Sequence, residues 1–75
     1  MSREDWERRE KALKMLEECM EILEDMLSDL EERIDNLEVH FASHPQLEVL
    51  ESRRDCVDEA LRYIVDAINC LEDFE

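Results

Sequence analysis

Two histidines are the side chains most able to bind a metal, and both lie in the segment HFASHPQ, residues 40–46. His40 and His44 are four residues apart, a spacing that would place both imidazoles on one face of a continuous helix. Pro45 breaks that continuity, because the residue before a proline is pushed out of the helical conformation. Two-metal helical bundles also use Glu-x-x-His, whereas Leu37 lies three residues before His40. The segment therefore favours a turn over the alternative of a metal site.

Three cysteines are the candidate nucleophiles or soft metal ligands: Cys19, Cys56 and Cys70. Their odd number and the lack of a Cys-x-x-Cys pair argue against a disulfide framework. We expect free thiols that pack as small buried hydrophobes. A reactive or metal-binding thiol is the alternative.

Acidic side chains dominate the charge, which is −14 over 75 residues. From Met15 to Glu32 there are eight acids and no base. Such a field disfavours direct binding to DNA, RNA or an anionic membrane, and it favours a basic protein partner. The alternative is that the acids only keep an oligomer in solution. The predicted partner-binding acids are Glu17, Glu18, Glu21, Glu24, Asp25, Glu31 and Glu32.

Known catalytic patterns are missing from the sequence, which has neither a phosphate-binding GxxxxGK[ST] nor a G-x-S-x-G nucleophile turn. We therefore predict no catalytic, cofactor-binding or metal-ligating residues, and no cofactor. The charged start MSREDWERREK does not resemble a signal peptide, and no apolar run approaches the ~20 residues that cross a bilayer. The expectation is a cytoplasmic protein in a reducing compartment with no membrane partner.

Two long helices would position these residues. Apolar residues recur every three or four positions along both halves of the chain, which is a heptad pattern that a strand cannot make. In the first half only Arg9 interrupts the seam of Trp6, Leu13, Leu16, Met20, Leu23, Leu27, Leu30, Ile34, Leu37 and Phe41. In the second half only Arg54 interrupts the seam of Leu47, Leu50, Val57, Leu61, Ile64, Ile68 and Leu71.

Helix boundaries follow from the turn chemistry. Ser2, with Asp5 three residues later, resembles a capping box at the start of the first helix. Proline suits the first position of a helix, so His44 is the predicted N-cap of the second; a box of Ser43 with Gln46 is the alternative. The sequence predicts one domain, 1–75, with a helix at about 3–40, a turn at about 41–44 and a helix at about 45–74. So short a connection predicts an antiparallel hairpin.

Arg54 would lie near Leu30 across such a hairpin. We expect its stem to snorkel along the seam and its head to pair with Asp29 or Glu31, which would fix the register. The alternative is a buried charge cluster that binds a ligand.

Each helix carries a second apolar stripe beside its seam, a width typical of helices that touch two neighbours. A lone hairpin would leave these stripes in water, so we predict an all-α homodimer that forms a four-helix bundle. A higher or hetero-oligomer and a monomer are the alternatives. The predicted interface residues are Met15, Cys19, Ile22, Met26, Cys56, Ala60, Tyr63, Ala67, Cys70 and Phe74.

One short segment, PQLEVLESRRD from Pro45 to Asp55, resembles the helical-hairpin aspartyl-phosphate phosphatases that act on sporulation response regulators. Leu47, Leu50 and Asp55 match the spacing of that family. Its Ser-Gln-Glu-Leu-Asp core is here Glu51-Ser52-Arg53-Arg54-Asp55, so only the aspartate is retained. The resemblance covers about a dozen residues and implies a phosphatase-like regulator that acts through Asp55.

Three functional hypotheses follow. The first is a small acidic, homodimeric, non-enzymatic interaction or regulatory module whose acidic helical face binds a basic protein, including one that itself binds nucleic acid. The second is the phosphatase-like regulator. The third is a designed or purely structural bundle without a ligand, although three cysteines, four methionines and a turn without glycine are unusual in designs.

Overall fold

The computed structural model, which describes residues 2–40 and 44–73, is an antiparallel hairpin of two helices. Helix α1 is Arg3–His40 and helix α2 is Pro45–Glu72. The hairpin is long and thin, at 57 × 14 × 13 Å. The prediction of an all-α hairpin is confirmed. Of the expected turn at about 41–44, residues 41–43 lie outside the described residues and only His44 is described.

Both helices begin with a capping side chain. The backbone N–H of Asp5 donates to Ser2 Oγ at 3.1 Å. His44 has an extended backbone, with φ −67° and ψ 133°, and its Nδ1 accepts the N–H of Gln46 at 3.0 Å. Each cap therefore satisfies a donor that the first turn of a helix leaves free. The expectation that His44 is the N-cap and Pro45 the first helical residue is confirmed.

The predicted seams form the contact between the helices. The most buried residues are Leu30, Ile34 and Leu50 near the turn, with Leu37, Leu47 and Val57 packed against them, and Ile68 nearer the open end. The other described seam residues are half-buried, except Trp6, which is exposed. Two helices alone cannot enclose a core, because each covers only one side of the other.

Arg9 joins the two helices at the open end of the hairpin. Its Nε donates to the carbonyl of Leu71 at 2.6 Å, and one terminal nitrogen donates to the carbonyl of Glu72 at 3.2 Å. Its guanidinium also lies over the ring of Trp6, 4.5 Å from the centroid. The residue that interrupts the seam in the sequence is thus a cap for the end of α2, whose last carbonyls lack helical partners.

Arg54 occupies its seam position differently from the prediction. Its head pairs with Asp55, the next residue of its own helix, at 3.1 Å. The expected pairing with Asp29 or Glu31 is therefore wrong: a seam position directs the stem between the helices, and the head reaches the nearest carboxylate at the edge of the seam.

Candidate interaction surfaces

The second stripes of the two helices lie on the same side of the hairpin. Met26 of α1 and Arg53 of α2 line one shallow cavity, and Arg33 of α1 lines the next with Val49 of α2. In an antiparallel pair the corresponding flanks of the two helices are neighbours. We call this side the apolar flank; its apolar residues are Ala12, Met15, Cys19, Ile22, Met26, Val49, Cys56, Ala60, Tyr63, Ala67 and Cys70.

Large side chains on the apolar flank are open to solvent. Met15 is 61% exposed, Ile22 60% and Tyr63 65%. The small residues on either side of Tyr63 in α2, Ala60 and Ala67, are half-buried. This row of exposed apolar side chains extends over both helices, which is the kind of surface that marks an interaction site. Phe74, the remaining predicted interface residue, lies outside the described residues.

The cysteines belong to this flank. Cys19 is half-buried, whereas Cys56 and Cys70 are exposed, and all three are free thiols. The expectation of buried thiols is wrong for Cys56 and Cys70 in the single chain. They lie seven residues on either side of Tyr63, on the outward edge of α2, where α1 does not reach them.

The predicted partner-binding acids lie on the other side of α1, which we call the acidic flank: Glu17, Glu18, Glu21, Glu24, Asp25, Glu31 and Glu32. All seven are exposed. Within residues 2–40 and 44–73, no arginine or lysine makes an ion pair with any of them. The ion pairs that do form lie at the start of α1 and along α2, so the charge of the acidic flank is not neutralised within the hairpin.

Sequence reasoning missed two arginines on the apolar flank, near the turn. Arg33 and Arg53 belong to different helices but line the same two shallow cavities, one with Asn36 and Gln46 and the other with Asp29. Neither forms an ion pair among the described residues, although Asp29 lies one turn from Arg33. The heptad pattern could have placed Arg33 on this flank, because steps of seven residues lead from Cys19 through Met26 to Arg33.

The candidate chemical residues are not gathered into one centre. His44 serves as a helix cap, and Asp55 is an exposed carboxylate paired with Arg54. The part of the chain that the structure describes contains no group of three or more His, Cys, Asp or Glu side chains arranged to hold a metal. None of its helices is long and apolar enough to span a membrane.

No known protein-family model, curated protein sequence or solved structure significantly matches the chain.

Proposed function

We propose that this chain is a non-enzymatic protein-interaction module that self-associates through its apolar flank and binds a basic protein through its acidic flank. The observation that carries the proposal is the separation of these surfaces onto two sides of one hairpin. Packing on the apolar flank leaves the acids in solvent, so both interactions are possible at once.

Self-association is supported by what the single hairpin leaves exposed. Burying apolar surface contributes about 25 cal/mol per Å², and Met15, Ile22 and Tyr63 each present most of their surface to water. A second hairpin packed on this flank would give four helices around a common core. Ala60 and Ala67 leave room for its helices to approach closely.

Binding of a basic protein is supported by the unbalanced acids. Like charges three or four residues apart, such as Glu17–Glu21 and Glu21–Glu24, each cost a few tenths of a kcal/mol in an isolated helix. Interleaved lysines would give solubility without that cost. A basic partner would neutralise the field, and its binding would be fast and strongly weakened by salt. Proteins that bind nucleic acid carry basic surfaces that could bind these acids. The chain would then compete with nucleic acid for the basic surface of such a protein.

A competition assay tests the acidic flank. The wild-type chain should displace a fluorescent DNA duplex from at least one member of a panel of basic DNA-binding domains, as measured by anisotropy. Changing Glu17, Glu21 and Glu24 together to Lys should weaken this competition by at least about tenfold, because it reverses the local field.

A matched control reverses three exposed acids of α2 instead: Glu48, Glu59 and Asp66, each to Lys. The change in net charge is the same, so this variant should keep most of its competition at equal salt concentration and helix content. An equal loss in both variants, or a wild-type chain that displaces no DNA, would show that the acidic flank is not a binding surface.

A further inference from the structure

We infer that two copies of this chain pack on their apolar flanks with their turns at opposite ends, oriented by charged residues at the ends of the apolar stripes. The inference rests on the proposed self-association and adds the orientation of the two copies. It follows from the self-complementary order of residues along α1.

The first stripe on this side of α1 is Asp5, Ala12, Cys19, Met26 and Arg33, each seven residues from the next. An acid stands at one end and a base at the other, both fourteen residues from Cys19, or about 21 Å along the helix. If two such stripes pack antiparallel about Cys19, Asp5 meets Arg33 of the second copy and Ala12 meets Met26. A charge then meets its opposite, and a small side chain meets a large one.

The neighbouring stripe has the same property. It contains Arg8, Met15, Ile22 and Asp29, again in steps of seven. When two of these stripes pack antiparallel about a point next to Cys19, Arg8 meets Asp29 of the second copy and Met15 meets Ile22. In a two-fold dimer every such contact occurs twice, because both copies use the same surface.

Helix α2 gives the same centre. Its apolar stretch Ala60, Tyr63, Ala67 and Cys70 has its midpoint near residue 65. Because α1 ends at His40 and α2 begins at Pro45, the antiparallel pairing sets residue 65 about level with Cys19. Packing of α2 against α2 of the second copy then sets Tyr63 over Ala67 and Ala60 beside Cys70, so large and small residues again alternate across the contact.

The opposite orientation, with both turns at one end, brings like charges together. It stacks α1 of one copy on α2 of the other, and Arg33 then lies near Arg53 of the second copy at two places. Both arginines already line the same cavities within one hairpin and have no ion-pair partner among the described residues. Four guanidinium groups would gather with only Asp29 from each copy to offset them.

Charge reversal tests the end contacts. Asp5→Arg and Arg33→Asp should each weaken dimerisation by about tenfold, since two attractive contacts become repulsive. The double variant should recover most of the wild-type affinity, and an equimolar mixture of the two single variants should form a heterodimer. Sedimentation equilibrium gives the dissociation constants. Glu7→Arg, at the same end of α1 but off the apolar flank, is the matched control and should have little effect.

Crosslinking through single cysteines tests whether the two copies are centred on Cys19. A chain that keeps only Cys19, with Cys56 and Cys70 changed to Ala, should give a covalent dimer with a short bis-maleimide. A chain that keeps only Cys56 should not, because the two Cys56 residues would be about 27 Å apart along the bundle. Both measurements are made at a concentration where sedimentation shows the dimer.

The outcomes separate the orientation from the self-association. A dimer in which Cys19 and Cys56 crosslink equally well, or in which Arg33→Asp tightens association, overturns the orientation and leaves self-association standing. A chain that stays monomeric at high micromolar concentration overturns both.

Discussion

Replacing Arg9 should destabilise the hairpin more than replacing any other arginine of its first helix. The Arg9 side chain is only 10% exposed, and its guanidinium donates to two carbonyls in the last turn of α2 while lying over Trp6. Arg9→Met keeps the apolar stem that fills the seam and removes the charge and the donors. The variant therefore removes all contacts of the guanidinium together, namely the two carbonyls of α2, the ring of Trp6 and an ion pair with Glu10 at 2.9 Å.

The expected loss is about 2 kcal/mol of unfolding free energy. A hydrogen bond in which one partner is charged contributes about 1.5–3 kcal/mol to the free energy of unfolding. A cation near the C-terminus of a helix contributes roughly a further 0.3–1 kcal/mol. The stacking on Trp6 adds roughly 0.5–1 kcal/mol. The sum is reduced because Glu72 is exposed and water can replace part of the hydrogen bonding. In a domain of this size, 2 kcal/mol corresponds to a fall in Tm of about 10 °C.

The assay is urea unfolding followed by far-ultraviolet circular dichroism at one fixed chain concentration, since association also stabilises the fold. Arg3→Met is the control: Arg3 is exposed, pairs among the described residues with Glu7 of its own helix, lies off the apolar flank, and should cost less than about 0.5 kcal/mol. Arg9→Lys, which keeps the charge but not the planar fork, should fall between the two. If Arg9→Met costs no more than Arg3→Met, the carbonyl contacts do not stabilise the hairpin and the reasoning is refuted.

Three further predictions concern the apolar flank and the turn. Changing Met15 and Ile22 together to Glu should convert the dimer to a monomer of about 9.0 kDa by sedimentation while helix content holds, because both side chains lie outside the hairpin seam; a dimer that survives would place the interface elsewhere. At the turn, His44→Ala should cost about 1 kcal/mol by removing the acceptor for the Gln46 N–H, and His44→Asp should restore it. Zinc content should be the same in the wild type and in the His40→Gln, His44→Gln double variant; stoichiometric zinc that disappears in the variant would contradict the interpretation of this segment as a turn.

The sequence by itself determined the two helices and the break between them. The heptad spacing of Leu30 and Ile34 in the first helix and of Leu47 and Leu50 in the second is a local property, as is the effect of Pro45 on its neighbour, because each depends on residues within one or two turns. The helices Arg3–His40 and Pro45–Glu72 therefore lie close to the predicted ranges. Ser2 and His44 as caps were predictable for the same reason.

Only the tertiary structure decided which residues from the two helices come together. In the sequence, Arg9 only interrupts the seam. Its contact with the carbonyl of Leu71, 62 residues away, forms only when the two helices pack together. Arg33 and Arg53 share a groove for the same reason. The exposure of Cys56 and Cys70, against the expectation of burial, was decided there too, because apolar character does not say how many neighbouring helices are present to cover it. The helical period determines on which side of a helix each residue lies. Which side of the second helix it then faces depends on the register and direction of that helix, and no local sequence pattern contains this information.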